Sequence, residues 1–327
     1  MEIITTGEIK ACMNEVGAQR KPFLFGVNFE LSEGFFIVDP LKQQEILFEV
    51  NGVTNSPKGV ARTDEVASKL FLPHPITYEA YREKFAIVQQ GLARGDSFLL
   101  NLTVATELEM NWTLDEIFHR AHSTYRLLVP ERFVCFSPEI FVRIVDGCIS
   151  SYPMKGTIDA SLPNAEQVIL ADYKERAEHN TIVDLIRNDL NRVADGVTVK
   201  RFRYIDRLRV SRGELLQVSS EIAGRLYGDY YSRLGEIVFD MLPAGSISGA
   251  PKPSTLEIIS RAEREPRGFY TGVFGYFDGN TLDSAVMIRY IEQRDGRYYF
   301  RSGGGITINS DCRAEYEEVL EKVYLPF

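Results

Sequence analysis

The sequence predicts an α+β fold, in which antiparallel strand pairs alternate with helices along one chain. Short apolar runs separated by turn residues occupy residues 23–54 and 271–308. Segments between them repeat apolar residues at helical spacing, and the longest of these spans residues 164–194. Asp278-Gly279-Asn280 and Asp295-Gly296 predict hairpin turns, which join antiparallel strands rather than the parallel strands of a doubly wound sheet.

Each predicted element follows from a local pattern of the same kind. In chain order the elements are a strand meander over 23–54, a helix over 76–96 ending at Gly95, a strand over 98–110, a helix over 113–125, two strands over 133–153 about a turn at Asp146-Gly147, a helix over 164–194, a strand over 213–227, helices over 232–242 and 251–265, strands over 271–308 and a helix over 314–325. Thr113 and Glu116 fit a capping box at the start of their helix. Pro253 lies near the first position of the helix over 251–265, where its missing N–H is tolerated.

Length and composition are those of a soluble globular chain. Of its 327 residues, 44% are hydrophobic and 25% are charged. No repeat, low-complexity tract or linker divides the chain, so a single domain over 1–327 is predicted. Within it a short strand-rich segment, 1–75, precedes a larger core, 76–327.

Several classes of function are disfavoured by the sequence. The formal net charge of −9 argues against a nucleic-acid partner, which needs a basic surface. No stretch approaches the ~18 apolar residues of a membrane span, and the N-terminus lacks the apolar core of a signal peptide. The four cysteines, Cys12, Cys135, Cys148 and Cys312, form no CxxC pair, which favours reduced thiols in the cytoplasm.

Lys155 has an unusual setting, because Met154 precedes it and Gly156 follows it. Lysines with solvated side chains usually have charged or polar neighbours. Lys155 is therefore either an ordinary lysine at a strand end or a lysine whose side chain enters a site.

Two helices each carry a pair of glutamates at a spacing of three residues, Glu175 with Glu178 and Glu315 with Glu318. This spacing places each pair on one helix face. If the two faces meet, four carboxylates without cysteine or histidine partners suit Mg²⁺. The alternative is that both pairs are solvated surface residues.

Two segments of small residues could bring backbone close to a ligand. PAGSISGAPKPS at 243–254 precedes a helix, whose first N–H groups favour an anion, although a tight connection is the alternative. RSGGGIT at 301–307 lacks the Gly-Lys-Ser/Thr ending of a P-loop. Its glycines either allow a ligand to approach or mark a bulged strand.

In their order along the chain, nine motifs resemble those of the chorismate-utilising enzymes, a family that includes anthranilate, aminodeoxychorismate, isochorismate and salicylate synthases. The motifs are GDSFLLNLT (95–103), SPEIF (137–141), PMKGT (153–157), KERAEHNTIVDLIRNDLNRVA (174–194), SISGAPK (246–252), GVFGYF (272–277), AVMIR (285–289), GGGI (303–306) and AEYEEVLEK (314–322). The resemblance is densest over residues 76–327. It implies a four-layer α/β/β/α core, with two large antiparallel sheets packed face to face and helices outside.

The resemblance also implies the catalytic residues. Aminodeoxychorismate synthases typically carry lysine at the position of Lys155, where the other members usually carry alanine. In such an enzyme Lys155 is a nucleophile that attacks C2 of chorismate as the C4 hydroxyl leaves, and Glu139 is the acid that protonates this hydroxyl. Partial desolvation of a lysine among apolar residues favours its neutral, nucleophilic amine.

The remaining motif residues resemble the metal and substrate sites of the family. Glu175, Glu178, Glu315 and Glu318 match the glutamates that hold Mg²⁺, which binds the ring carboxylate of chorismate. The implied substrate contacts are Gly156, Thr157, Ser248, Gly249, Ala250, Tyr276, Arg289, Gly303, Gly304 and Gly305. Arg289 suits the enolpyruvyl carboxylate, because a guanidinium pairs with both of its oxygens.

Three departures from the family pattern narrow the expected reaction. Isochorismate and salicylate synthases carry a lysine near the position of Leu99 to activate water, and its absence argues against water as the nucleophile. Gln217 replaces a common histidine, and an amide cannot shuttle a proton. The segment 1–75 lacks the Leu-Leu-Glu-Ser-type stretch of relatives that bind regulatory tryptophan.

These features favour conversion of chorismate and ammonia to 4-amino-4-deoxychorismate, on the route to 4-aminobenzoate and folate. The expected partner is a separate glutamine amidotransferase (glutaminase) subunit that supplies ammonia, since the chain shows no glutaminase nucleophile motif. An anthranilate synthase component and a catalytically silent binding subunit are the alternatives.

Overall fold

The computed structural model describes residues 2–57, 69–210 and 213–327. In these ranges the α-helices are α1 Thr6–Ala18, α2 Tyr78–Ala93, α3 Leu114–Arg120, α4 Ala165–Ala171, α5 Tyr173–Asn191, α6 Leu234–Met241, α7 Lys252–Glu263 and α8 Cys312–Glu321. The strands are β1 Ile4–Thr5, β2 Phe23–Val27, β3 Glu33–Val38, β4 Leu47–Val50, β5 Val53–Thr54, β6 Phe71–His74, β7 Leu99–Met110, β8 Tyr125–Val129, β9 Phe133–Ser137, β10 Ile140–Val145, β11 Cys148–Ser151, β12 Met154–Asp159, β13 Asp195–Val210, β14 Gly213–Arg225, β15 Gly249–Ala250, β16 Val273–Phe277, β17 Leu282–Val286, β18 Tyr290–Arg294 and β19 Arg297–Thr307. Short 3₁₀ helices lie at Pro40–Lys42, Tyr230–Arg233 and Gly245–Ile247. None of the helices in the described ranges has the length and apolar character needed to traverse a bilayer.

The strands form two antiparallel sheets. The first has the order β1-β3-β2-β16-β17-β10-β11-β14-β12, with β13 also paired to β14. The second has the order β15-β7-β19-β18-β9-β8-β4-β5, with β6 also paired to β7. Strands distant in sequence are therefore neighbours in both sheets, as with β2 and β16.

The two sheets pack face to face, with helices on their outer sides. The buried side chains between them come from both sheets and include Leu24, Phe35, Phe274, Phe48, Phe133 and Tyr290. Ile9 and Met13 of α1 and Leu234 of α6 pack on the outer face of the first sheet. Ile117 and Phe118 of α3 pack against Val134 and Phe300 of the second. The expected α+β core with two large packed sheets is confirmed.

The chain passes between the sheets at two neighbouring crossovers that position the site. One crossover, Pro138-Glu139, joins β9 of the second sheet to β10 of the first, and the other, 287–289, joins β17 to β18. The Val286 N–H donates to the Glu139 carbonyl at 3.1 Å, and the Phe136 N–H donates to the Arg289 carbonyl at 3.0 Å. Glu139 and Arg289 are thus held side by side by the backbone.

Several predicted elements are confirmed, including the helix over 76–96, the strand over 98–110 and the hairpins after residue 271. The Thr113 capping box is present, with the Glu116 N–H donating to Thr113 Oγ1 at 3.1 Å. That helix stops at Arg120 instead of 125, because Tyr125–Val129 pairs with β4 and β9.

Three of the predicted elements are divided in the structure. The two strands predicted over 133–153 are three, because Pro138 lacks an N–H for a ladder and the chain changes sheets there. The helix over 164–194 breaks at Asp172, whose carboxylate caps α5 by accepting from the Glu175 N–H at 2.8 Å. The meander over 23–54 separates into β2–β3 in the first sheet and β4–β5 in the second.

Candidate active site

Lys155 lies within β12, at a bulge opposite β14. The pairing register shifts between Met154 and Thr157, so Lys155 and Gly156 fall outside the regular ladder. Gly156 has φ +80°, and a Cβ there would lie 3.3 Å from Glu175 Oε2. Bulges of this kind redirect a side chain out of the alternating pattern. Lys155 Nζ lies 3.6 Å from Glu178 Oε2 of α5, and the Lys155 side chain is 21% exposed.

The glycines of β19 leave space for this lysine and for the glutamates. A Cβ on Gly305 would lie 3.1 Å from Lys155 Nζ and 3.5 Å from Glu178 Oε2. A Cβ on Gly304 would lie 3.5 Å from Glu315 Oε2 and 3.6 Å from Glu318 Oε1. Gly303, Gly304 and Gly305 pair with β7 without a register shift. They therefore provide room where α5 and α8 meet, and they do not mark a bulge.

Three of the four predicted metal ligands, Glu178, Glu315 and Glu318, thus face the adjacent Gly304 and Gly305, whereas Glu175 lies beside Gly156. Glu178 is 5% exposed and Glu315 1% exposed, so these are not solvated surface carboxylates. Lys155 contacts Glu178 as above, and Lys322 Nζ lies 2.7 Å from Glu318 Oε1. Across residues 2–57, 69–210 and 213–327, no three acidic, histidine or cysteine side chains are arranged around one point as a metal ion requires. The donor type fits Mg²⁺, and an ion there would compete with both lysines for the carboxylates.

Glu139 is half-buried and faces the loop that follows α6. Ser246 donates from Oγ to Glu139 Oε1. Burial raises the pKa of Glu139, and the Ser246 hydrogen bond and the positive charges of Lys155, Arg289 and Lys322 act against this rise. A raised pKa favours the protonated carboxyl, which is the form that a general acid needs.

Lys155, Arg289 and Lys322 lie close enough to Glu139 for their positive charges to act on its carboxyl. Arg289 has φ +52° at its crossover, and its Nε donates to Tyr324 Oη at 3.2 Å. Lys322 donates to the Gly303 carbonyl at 2.7 Å, and burial lowers its pKa, opposed by Glu318. Strand pairing across 150 residues of sequence brings these groups together.

The loop residues Ser248, Gly249 and Ala250 are held by the backbone beside β7. Ser248 is fully buried, and its hydroxyl donates to the Ala244 carbonyl at 2.8 Å. Gly249 has φ +136°, and a Cβ there would meet the Leu99 carbonyl at 2.0 Å, so only glycine fits. This loop contacts Glu139 through Ser246, a residue of SISGAPK that no local sequence pattern singles out.

For two other predicted contacts, Tyr276 and Thr157, the neighbours described are residues outside this cluster. Tyr276 is buried against Phe48, with ring centroids 5.4 Å apart, and the charges acting on its hydroxyl are Asp278 and Asp39. Thr157 is exposed and lies next to Gln217, whose Nε2 is 3.5 Å from Thr157 Oγ1.

Sequence reasoning missed Lys322, Tyr270 and Tyr324. Lys322 follows Glu318 by four residues, so helical spacing alone places it on the glutamate face. Tyr270 is buried close enough to Arg289 for that charge to act on it, while burial raises its pKa to about 12. No local pattern marks the two tyrosines, because their neighbours come from the sheet crossovers.

Comparisons with known proteins identify the family of the chain. The model of the chorismate binding enzyme family matches residues 37–326. An uncharacterized PabA-like protein of Haemophilus influenzae is 50% identical over 319 residues, which are 96% of this chain and 94% of that protein. Aminodeoxychorismate synthase component 1 of Bacillus subtilis is 31% identical over 265 residues, or 76% of this chain and 55% of the relative. The structure of anthranilate synthase component I from Streptococcus pneumoniae aligns with a TM-score of 0.65 at 26% identity, over 78% of this chain and 58% of that one. The chain belongs to the family of chorismate binding enzymes.

Proposed function

We propose that this chorismate binding enzyme replaces the C4 hydroxyl of chorismate by an amino group, which makes it an aminodeoxychorismate synthase component. The observation that carries the proposal is the position of Lys155. Its Nζ lies beside Glu178 and over Gly305, in the same environment as Glu139 and Arg289. A Lys155 side chain that faced outward into solvent would have indicated an ordinary surface lysine.

The proposed reaction uses two substitutions at the ring. The amine of Lys155 forms a bond to C2, the two conjugated ring double bonds shift, and the C–O bond at C4 breaks. Glu139 gives its proton to the leaving hydroxyl, which departs as water, and the nitrogen of Lys155 at C2 stays an ammonium. Ammonia then forms a bond to C4, both double bonds return, and Lys155 leaves as its amine. The new C4 ammonium gives one proton to the Glu139 carboxylate, which restores the acid. The balance is chorismate and ammonia to aminodeoxychorismate and water.

The other residues of the site bind and orient the substrate. The Arg289 guanidinium suits a carboxylate, and its hydrogen bond to Tyr324 holds it in place. Glu175, Glu178, Glu315 and Glu318 would hold Mg²⁺. Bound there, the ion would neutralise a substrate carboxylate.

Leu99 disfavours water as the nucleophile. Its Cδ1 would lie 3.4 Å from a Cβ on Gly305, so this apolar side chain borders the same space as Lys155. Leucine cannot activate a water molecule, and the arrangement therefore supports an amine nucleophile over the hydration that an isochorismate synthase performs.

A glutamine amidotransferase subunit is the partner we propose as the source of ammonia. Ammonium is the dominant form of free ammonia near neutral pH and is not nucleophilic. Direct delivery by a partner would keep the nitrogen unprotonated on its way to C4.

The test is a product assay on the purified chain with chorismate, Mg²⁺ and ammonium at mildly alkaline pH. We expect wild type and Lys42→Ala to form aminodeoxychorismate, because Lys42 is a solvated lysine outside the site, with 79% of its side chain exposed. Lys155→Ala should lose this product, and intact-protein mass spectrometry should find no chorismate adduct on it. Anthranilate from the wild-type chain would overturn the proposal in favour of an anthranilate synthase component. No product, even with a glutaminase and glutamine, would favour a catalytically silent subunit.

A further inference from the structure

Lys155 and Glu178 belong to different elements, and their separation depends on how α5 sits against the first sheet. Ser220 of β14 is the point at which the two elements are joined. Its N–H donates to the carbonyl of Pro153 at 3.0 Å, two residues before Lys155. Its neighbour Ser219 pairs with Met154 across the strands. The backbone of Ser220 therefore sets where the bulge that carries Lys155 begins.

The side chain of Ser220 reaches the other element. Its Oγ lies 2.7 Å from Nε2 of His179, the residue that follows Glu178 in α5. Ser220 is 0% exposed and His179 1% exposed, so water does not compete for this contact. One residue thus holds the strand of Lys155 through its backbone and the helix of Glu178 through its side chain.

Ser220 Oγ has a second polar neighbour in β13. The Arg203 N–H donates to Ser220 Oγ at 2.9 Å, at a position where φ is +47° and the register shifts. Between Ser220 Oγ and His179 Nε2, the tautomer of the ring decides which atom donates, and either direction makes a buried hydrogen bond. In the described part of the chain, Nδ1 has no hydrogen-bond partner, and the ring is oriented through Ser220.

We propose that His179 is a positioning residue for the reaction of Lys155. Through the buried hydrogen bond to Ser220, His179 holds Lys155 at its distance from Glu178. The effect of His179 on catalysis rests on the proposed function of Lys155. Without the hydrogen bond at Nε2, α5 loses this buried link to β14, and Lys155 and Glu178 shift relative to each other. A misplacement of about 1 Å in a reacting group is enough to lower a rate by about 100-fold.

The experiment compares His179→Leu, which has no acceptor, with His179→Gln, whose side-chain oxygen can accept from Ser220. We expect His179→Leu to lower kcat for chorismate amination by about 100-fold with KM for chorismate little changed. His179→Gln should recover most of the loss. Ser220→Ala should lower kcat as well, and the double variant His179→Leu/Ser220→Ala should be no slower than the slower single variant, because both remove one contact.

Two kinetic results would overturn the proposal. One is a His179→Leu variant with wild-type kcat. The other is equal loss in His179→Leu and His179→Gln with equal falls in melting temperature, which is the result of a general packing role. Crystal structures of wild type and His179→Leu add a readout that does not depend on the product formed. We expect the Lys155 Nζ to Glu178 Oε2 distance to change from 3.6 Å. If the enzyme proves to make anthranilate, this distance still tests the positioning role, and an unchanged distance contradicts it.

Discussion

Ser246 donates a hydrogen bond through its hydroxyl to Oε1 of Glu139, and this contact ties the loop before α7 to the crossover between the sheets. The hydrogen bond stabilises the ionised carboxylate and so opposes the pKa rise that burial causes. Ser246 therefore tunes the pH range in which Glu139 carries its proton.

Ser246→Ala should move the alkaline limb of the pH profile of kcat/KM to higher pH. The sign follows from the role of Glu139: a general acid must be protonated, so activity falls as pH rises through its pKa. Loss of the hydrogen bond raises that pKa further, and the limb moves upward. Ser246→Thr keeps a hydroxyl and should keep the wild-type profile. A limb that stays in place or moves to lower pH in Ser246→Ala would contradict the role of Glu139.

Gly305→Ala should lower kcat by about 100-fold while the protein stays folded. The new methyl would lie 3.1 Å from Lys155 Nζ, the flexible end of a side chain, so the lysine moves and the backbone does not. Gly303→Ala is the matched control, because its methyl would lie 2.7 Å from the Leu102 carbonyl, which cannot move easily. This control should lose about 1–3 kcal/mol of unfolding free energy. Denaturant unfolding and steady-state kinetics on both variants separate the two effects, and a fully active Gly305→Ala would show that Lys155 does not react at this position.

The residues that local sequence patterns could predict are those whose neighbours lie within one turn or one hairpin. Thr113 and Glu116 form the expected cap, and Glu175 and Glu178 share a helix face as their spacing requires. The sequence leaves open whether the glutamate faces of α5 and α8 lie together. Their meeting depends on β19 lying beside β7 and on glycines that admit side chains from two helices.

The rest of the site depends on the exchange of strands between sheets, which no local pattern encodes. Glu139 lies between β9 and β10, and Arg289 lies between β17 and β18. In the sequence each of these strand pairs resembles one continuous strand, and Pro138 is the local sign of a break. Residues 195–210 form the long strand β13, but their charged and aromatic residues do not alternate regularly. The alternation is lost because three register shifts interrupt the pairing with β14. The helix α1 also went unpredicted, although Thr5 and Glu8 form a capping box at its start.

The buried pair Arg267–Glu263 should matter for stability. Arg267 is 1% exposed, its Nη2 lies 2.7 Å from Glu263 Oε1, and it donates to the Ile247 carbonyl at 2.9 Å. Arg267→Met leaves a buried carboxylate without its cation and should cost about 3–5 kcal/mol of unfolding free energy. Glu263→Gln/Arg267→Met should cost less than Arg267→Met alone, because no lone charge remains.

The exposed pair Arg297–Glu107 is the control for that comparison, with an N–O distance of 3.3 Å and side chains 64% and 44% exposed. Arg297→Met should change the unfolding free energy by less than about 1 kcal/mol. If urea denaturation gives the same loss for Arg267→Met and Arg297→Met, the buried pair has no special role in stability.

Mg²⁺ should raise the melting temperature of the wild-type protein, because an ion that binds the folded state stabilises it by about 2.7 kcal/mol at 100 times its dissociation constant. Glu178→Gln and Glu315→Gln each remove a carboxylate from the face of α5 or α8 and should remove most of this rise. Glu317→Gln lies on α8 but outside the glutamate cluster, in an exposed pair with Arg313 at 2.9 Å, and should retain it. Because Lys322 holds Glu318 at 2.7 Å, Lys322→Met should increase the response by freeing that carboxylate for the ion. Equal Mg²⁺ responses in wild type, Glu178→Gln and Glu315→Gln would show that the ion, if it binds, binds elsewhere.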